Sequence, residues 1–373
     1  MIVKAFVDTN VLVRRCRPQC SRDGGQMNRQ PIAVVTVAAF LAVSAVVSAQ
    51  APEGWTVPRT ADGRPDLQGV WASDSATPLE RPEALGDRET LTDEEVAALA
   101  AHAFDYSAVG GDAVFGETPF RRALAALEEP AEAADAAPAP RRRSTGSYNQ
   151  FWMSGRWFEN RTSLIVDPPN GRRPPRTPEA EERVSRQRAV RNSPLPDNPT
   201  LADEIARIDP AIRCRGGGAL LSGRGYNSTY QVFQSPDYVG IQIEMYHDTR
   251  LIPIGDAAPS EVGPPTAMGS SRGRWEGDTL VVETTNLSRG VGGSTAGVRI
   301  TERFTRVGPE LLQYEYTLDD PATWTRPWTA RVFMRPAPGT GVIYEFACHE
   351  GNYAMEHALR NARFADAATT GSR

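Results

Sequence analysis

The run YVGIQIEMYHD, residues 238–248, decides the fold, because its apolar and polar positions alternate. Val239, Ile241, Ile243 and Met245 fall on one face of an extended chain, with Gln242, Glu244 and Tyr246 on the other. A period of two marks a half-buried β-strand, since successive side chains of a strand point to opposite sides. From Tyr226 onward the same period predicts further strands over Arg274–Asn286, Val298–Val307, Leu311–Leu318, Trp328–Arg335 and Val342–His349. Asp237, Gly277-Asp278 and Gly308-Pro309 supply tight turns between several of them. Strands joined by short turns with no helix between them make an antiparallel meander. The expected fold is therefore mainly β, a lipocalin-like barrel or a strongly curled sheet.

Upstream the pattern is irregular, with a few short helices. Residues 50–90 are extended and turn-rich. Thr92-Asp93-Glu94-Glu95 is a capping box, in which the Thr and the Glu three residues on satisfy free backbone N–H groups, and it opens a helix through EEVAALAAHAF. The stretch from about 108 to 147 is Gly, Ala, Pro and charge, and reads as flexible. Arg161–Val166 forms a strand stopped by Pro-Pro-Asn-Gly, residues 178–191 a charged helix, and LADEIARI a second short one. The chain thus divides into 1–26, 27–49, an extended region 50–147 and a β-rich domain 148–373.

The segment 27–49 reads as a signal peptide. Met27 to Gln30 carries one positive charge, PIAVVTVAAFLAVSAVVSA follows, and Val47-Ser48-Ala49 places small residues where signal peptidase cuts, after Ala49. The apolar run is near the lower limit for a bilayer span and has no stop-transfer charges behind it, so no stable membrane anchor is expected after cleavage. Ahead of it, MIVKAFVDTNVLV resembles the opening strand of PIN-domain ribonucleases, in which an Asp at the position of Asp8 helps bind a metal. The resemblance ends after about a dozen residues, short of the other acidic ligands such a site needs. Residues 1–26 are expected to be a spurious extension with translation starting at Met27.

Composition narrows the function. Net charge is −5, and the only tight basic run, Arg141-Arg142-Arg143, sits in Ala/Pro-rich sequence, so nucleic acid is not an expected partner. The 32 Gly and 30 Pro favour turns and short strands over helices. Of the four Cys, Cys214 and Cys348 follow the leader. In an oxidising compartment they are expected to pair. The alternative is a Cys348 nucleophile beside His349, but adjacent residues on a strand face opposite ways.

Polar groups at strand ends mark where chemistry could sit. His247, Asp248 and Arg250 end one strand; His349 and Glu350, with Asn352 and Tyr353, follow the last. A His oriented by a carboxylate can act as a general acid or base near neutral pH. A Cys214–Cys348 bond would draw the two groups together; without it they are two separately capped strand ends. Glu302 shares its face with Val298, Ile300 and Phe304, so its carboxylate is expected to point inward. Either it pairs with an Arg or its pKa is raised for acid–base work. TWTRPWT, residues 323–329, offers Trp324, Arg326 and Trp328 to a planar or carboxylated ligand, although core packing is the default for such Trp residues. His247, His349 and Glu350 lack the short His spacing of a metal site, and no metal is expected. There is no P-loop and no G-x-S-x-G elbow, and Gly216-Gly217-Gly218 lacks the strand–helix context of a phosphate cradle, so no cofactor is expected.

The segments RTSLIVDPPNGRRPP, GRWEGDTLVVETTN and ACHEGNY resemble an uncharacterised family of exported proteins abundant in acidobacteria and environmental proteobacteria. The resemblance implies export and a shared fold and carries no activity with it. Two functions are expected from the residues: acid–base catalysis (lyase, isomerase or hydrolase) on a small organic molecule, or non-catalytic binding of an apolar or aromatic ligand.

Overall fold

In a computed structural model of the chain, the period-two segments build a sheet of ten antiparallel strands. The structure describes residues 54–108, 120–121, 124–125, 127, 157–193, 213–221, 227–256, 259, 263–339 and 341–370. The leader, the extension ahead of it and LADEIARI lie outside the described residues, as does most of the Ala/Pro-rich stretch. Among the described residues no helix is long and apolar enough to cross a membrane.

The strands are β1 (Gly69–Ala72), β2 (Ile165–Asp167), β3 (Thr229–Gln234), β4 (Tyr238–Ile243), β5 (Thr249–Pro253), β6 (Ser270–Glu276), β7 (Thr279–Thr285), β8 (Arg299–Gly308), β9 (Leu311–Asp319) and β10 (Trp328–Pro336). They run in the order β5-β4-β3-β1-β10-β9-β8-β7-β6, with β2 added beside β10. The expected strand Arg274–Asn286 is a hairpin, β6–β7, turned at Gly277-Asp278. Strand β1, from the extended N-terminal region, enters the middle of the sheet between β3 and β10.

The inward positions of these strands make one core, including Ile241, Ile252, Leu280, Ile300, Leu312 and Trp328. Burying each such side chain stabilises the fold by roughly 1.5–3 kcal/mol, which is what curls the sheet around its apolar face. Of the two expected forms, the barrel and the curled sheet, the ladder fits the curled sheet, because it stops at β5 and β6 without joining them. These edges do approach. Ile254 and Gly273 form a single parallel bridge, and the Gly255 N–H donates to the Gly273 carbonyl at 2.8 Å. A Cβ on Gly273 would come within 2.8 Å of Ile254 Cδ1, so only glycine lets the edges close this far.

The expected strand Val342–His349 is not in the sheet; its residues run as irregular chain. The reason lies in β10, whose free edge is already taken by β1 at Ala72↔Arg335 and by β2 at Ala330↔Ile165. No edge is left there for a hairpin partner.

Three helices flank the sheet: α1 (Asp93–Ala108), α2 (Pro178–Asn192) and α3 (Tyr353–Thr370). The capping box of α1 forms as read, the Glu95 N–H donating to Thr92 Oγ1 at 3.2 Å and the Thr92 N–H to Glu95 at 2.8 Å. Helix α1 buries Val96 and Leu99 with Leu85, Leu91 and Phe120 in a second, smaller core.

Candidate functional site

The inward carboxylate of Glu302 has an Arg partner. Arg250, on β5, donates from Nη1 to Glu302 Oε1 at 2.9 Å and from Nη2 to Oε2 at 2.5 Å, with both side chains buried. Its remaining donors are also used: Nε to Ser271 Oγ at 3.1 Å, Nη1 to the Ala219 carbonyl at 3.3 Å and Nη2 to Thr284 Oγ1 at 2.6 Å. Tyr314 donates to Glu302 Oε1 at 2.8 Å and accepts from the Leu221 N–H at 3.3 Å. Burial opposes the charge of Arg250, but the Glu302 carboxylate outweighs it and raises the guanidinium pKa. Burial, with Glu302 nearby, pushes the Tyr314 hydroxyl well above its ordinary value. Glu302 and Arg250, expected as a catalytic and a ligand-binding residue, are thus occupied with each other inside the core.

The loop between β4 and β5 has a different character. It is closed by Ile243 N–H to the Asp248 carbonyl at 2.8 Å and His247 N–H to the Glu244 carbonyl at 3.1 Å. Tyr246 and His247 both adopt left-handed backbone, with φ of 63° and 55°. Glu244 is buried and accepts from Asn227 Nδ2 at 3.2 Å. His247 is exposed, and its Nε2 lies 3.0 Å from Gln242 Nε2 rather than against the neighbouring carboxylate. Asp248 is half-buried; burial raises the pKa of its carboxyl, and the Arg289 guanidinium draws it part of the way back.

The expected disulfide is present: Cys214 and Cys348 are bonded, with Cα atoms 5.7 Å apart. It brings the two histidine segments to one rim. Phe346 packs on Tyr246 with ring centroids 5.1 Å apart. On the other side of the bond, Gly216 abuts Asp248 so closely that a Cβ there would overlap the carboxylate. Asn352 Nδ2 donates to Cys214 Sγ at 3.4 Å. His349, Glu350 and Tyr353 are exposed on this segment, Tyr353 lying edge-on to His357.

The TWTRPWT segment lies in a different neighbourhood. Trp328 is fully buried, edge-on to Trp324 and Tyr316. Trp324 is buried too, its ring flanked by the guanidinium groups of Arg173 and Arg176 and its Nε1 donating to Ser294 Oγ at 3.0 Å. Arg326 is exposed and holds both Asp167 oxygens at 2.8 Å. The two rings expected at a ligand surface are core residues: Arg173 and Arg176 take up the face of Trp324, and Trp324 and Tyr316 pack on Trp328.

The sequence reading missed Tyr314, Gln242, Gly216 and Arg289. Tyr314 had a usable signal: it shares an inward phase with Leu312, Tyr316 and Leu318, and a buried phenol needs a hydrogen-bond partner. The others come from loops or from an outward strand position whose meeting only the fold creates. Among the described residues no group of three or more His, Cys, Asp or Glu side chains is arranged to hold a metal ion. The chain matches no protein-family model and no curated protein with which it was compared.

Proposed function

We propose that the protein is an exported enzyme that moves a proton on a small organic molecule at the rim formed by residues 244–248, 214–216 and 346–352, with Asp248 as the proton-carrying group. The observation that carries this reading is a concentration of backbone strain. Five non-glycine residues among those described have positive φ, and four of them, Cys214, Asn227, Tyr246 and His247, surround this one loop. Asn and His are found in the left-handed region more readily than other residues, whereas Cys and Tyr are strained there at a cost of about 1–3 kcal/mol each. Such strain survives where surrounding structure imposes it, and it clusters at functional sites.

A half-buried carboxyl with a raised pKa holds its proton more tightly than a free carboxyl, which suits it to proton transfer. His247, held by Gln242, and the exposed His349 and Glu350 are assigned to contacting the ligand. The curled sheet serves as a lipocalin-like scaffold whose working end is this rim, its interior being filled by the core. Export rests on the leader sequence, on the disulfide and on the resemblance to exported proteins.

One observation favours a second reading, a binding site without chemistry: His247 bonds to Gln242 and forms no pair with Asp248. The test is incubation of the protein with pooled small organic metabolites in heavy water, followed by mass spectrometry. Catalysis by the rim gives deuterium uptake or a mass change in some compound, lost in Asp248→Asn. Compounds that co-purify unchanged with both forms would establish the binding reading instead, and a pool untouched and unbound by the native protein would sink both.

A further inference from the structure

The face of β10 turned away from the main core carries Phe333 and Arg335, since Val332 and Met334 take the inward positions. The chain at 157–161 runs across that outer face. Arg161 donates from Nη1 to the Arg331 carbonyl at 3.1 Å, and its guanidinium lies 5.0 Å from the centre of the Phe333 ring. The Arg335 guanidinium lies over the ring of Trp157, 4.2 Å from its centre. Trp157 is fixed in turn by a parallel bridge to Ser75. Glu159 belongs to the same cluster and is buried. It accepts from Arg161 Nε at 2.6 Å and from Ser75 Oγ at 3.0 Å, so each of its oxygens has a donor.

Three donors of this cluster are left over. Arg335 has no hydrogen bond and no ion pair with any of the described residues. Trp157 Nε1 and Arg161 Nη2 are buried and have no acceptor. Buried N–H groups are satisfied in folded proteins as a rule, because leaving one unpaired forfeits its bonds to water. Charge is unbalanced in the same place. Two guanidinium groups share one buried carboxylate, and Arg161 holds it. Burial lowers the pKa of Arg335, and the more distant Glu159 and Glu310 carboxylates offset this only in part. A water molecule would satisfy N–H groups here but would leave that charge desolvated. An anion answers both.

We propose that Arg335, Arg161 and Trp157 form a binding site for a small organic monocarboxylate on the outer face of β10. The site shares no residue with the rim and goes beyond the acid–base reading given to it. Trp157 covers one face of the Arg335 guanidinium, so the N–H edge is what the group offers a ligand. That edge matches the two oxygens of a planar carboxylate. Arg161 Nη2 and the Trp157 indole N–H add single donors to the same ligand. One surplus positive charge suits a monoanion. A phosphate dianion would press a second negative charge toward the buried Glu159, and like charges at short range disfavour each other.

The test is nuclear magnetic resonance of the full chain with its tryptophans labelled with nitrogen-15, titrated with acetate against chloride at equal ionic strength. Trp157→Phe identifies the Trp157 indole signal. That signal is expected to move saturably with acetate, and inorganic phosphate is expected to bind more weakly. Arg335→Gln is expected to raise the acetate midpoint at least about tenfold, the loss that follows from removing hydrogen bonds to a charged group. Arg335→Lys keeps the charge over the ring but loses the fork, and is expected to raise the midpoint as well; it serves as the comparison if Arg335→Gln disturbs the other indole signals. No saturable movement of the Trp157 signal in the native protein would overturn the site. So would an acetate midpoint unchanged by substitution of Arg335. Phosphate binding as tightly as acetate would overturn the assignment to a monocarboxylate.

Discussion

Arg250 on β5 and Glu302 on β8 are joined by two hydrogen bonds, of 2.9 and 2.5 Å, across the seam where the sheet's ladder is interrupted. Arg250 also bonds Ser271 on β6 and Thr284 on β7, so one side chain ties the edge strand β5 to three strands beyond the gap. Main-chain pairing supplies a single bridge there, between Ile254 and Gly273. The guanidinium does at this end of the seam what a ladder would do, with all five of its N–H donors engaged.

Removing one partner strands the other's charge inside the core. Arg250→Met is expected to destabilise the protein by about 3–5 kcal/mol, because Glu302 loses its counter-ion while it and Tyr314 stay buried. Glu302→Gln is expected to cost less, since an amide still accepts from Tyr314 and from one Arg250 nitrogen. Arg250→Met with Glu302→Leu is expected to recover much of the first loss. Urea melts of the three variants check this; additive losses would show that the pair does not act as a unit.

Much of this was open to reading in the sequence, for a physical reason. Strand phase is local, so the alternation through Val239 to Met245 and through Val298 to Phe304 announced both the strands and the inward carboxylate of Glu302. It could not choose the partner, since many Arg side chains were available and Arg250 meets Glu302 only because the sheet curls. The failed strand, Val342–His349, had adequate local alternation but no free edge to join, which is a property of β10 and its neighbours. The Trp324 surface failed likewise: Arg173 and Arg176 reach it from a distant segment. The strain at Tyr246 had no sequence signature, because Tyr does not favour left-handed backbone.

Gly216 tests the rim's geometry. Its φ is not in the left-handed region, so an alanine there is strained by space alone, the Cβ overlapping the Asp248 carboxylate. Gly216→Ala is expected to destabilise by about 1–3 kcal/mol, typical of overpacking. Adding Asp248→Ala removes the obstructing carboxylate and is expected to restore most of the loss. A double variant no more stable than Gly216→Ala, in thermal melts at neutral pH, would show that the clash lies elsewhere.

Asp320 pins two loops together and gives a pH signature. Its carboxylate accepts from the Thr295 N–H at 2.6 Å, Thr295 Oγ1 at 3.1 Å and the Ala322 N–H at 3.2 Å. Burial pushes its pKa up, but these bonds and one from Thr323 outweigh it, and the net shift is downward. The folded state then holds the proton less tightly than the unfolded one. The resulting stability is present above the ordinary carboxyl range and is lost as pH falls through the folded value. Asp320→Asn is expected to lower Tm at about pH 7, and by less at about pH 3. A penalty that stays constant between the two would assign the effect to lost hydrogen-bond geometry.

Asp248 is expected to behave in the opposite sense. Burial raises its pKa, so in the window between the unfolded and folded values the native state binds the proton that the unfolded state has released. Stability attributable to this group is therefore greatest at low pH and falls as pH rises through the folded value. Above that value the native state carries a partly desolvated carboxylate, which Arg289 compensates only in part. Asp248→Asn removes this cost. The variant is expected to have a higher Tm than the native protein at about pH 7, with the difference closing as pH drops below the ordinary carboxyl range. If the rim chemistry depends on this proton, the same variant gains stability while losing activity, the trade-off common at strained functional sites. A lower Tm for Asp248→Asn at neutral pH would mean that the carboxylate is net stabilising, and the raised proton affinity on which its role rests would have to be given up.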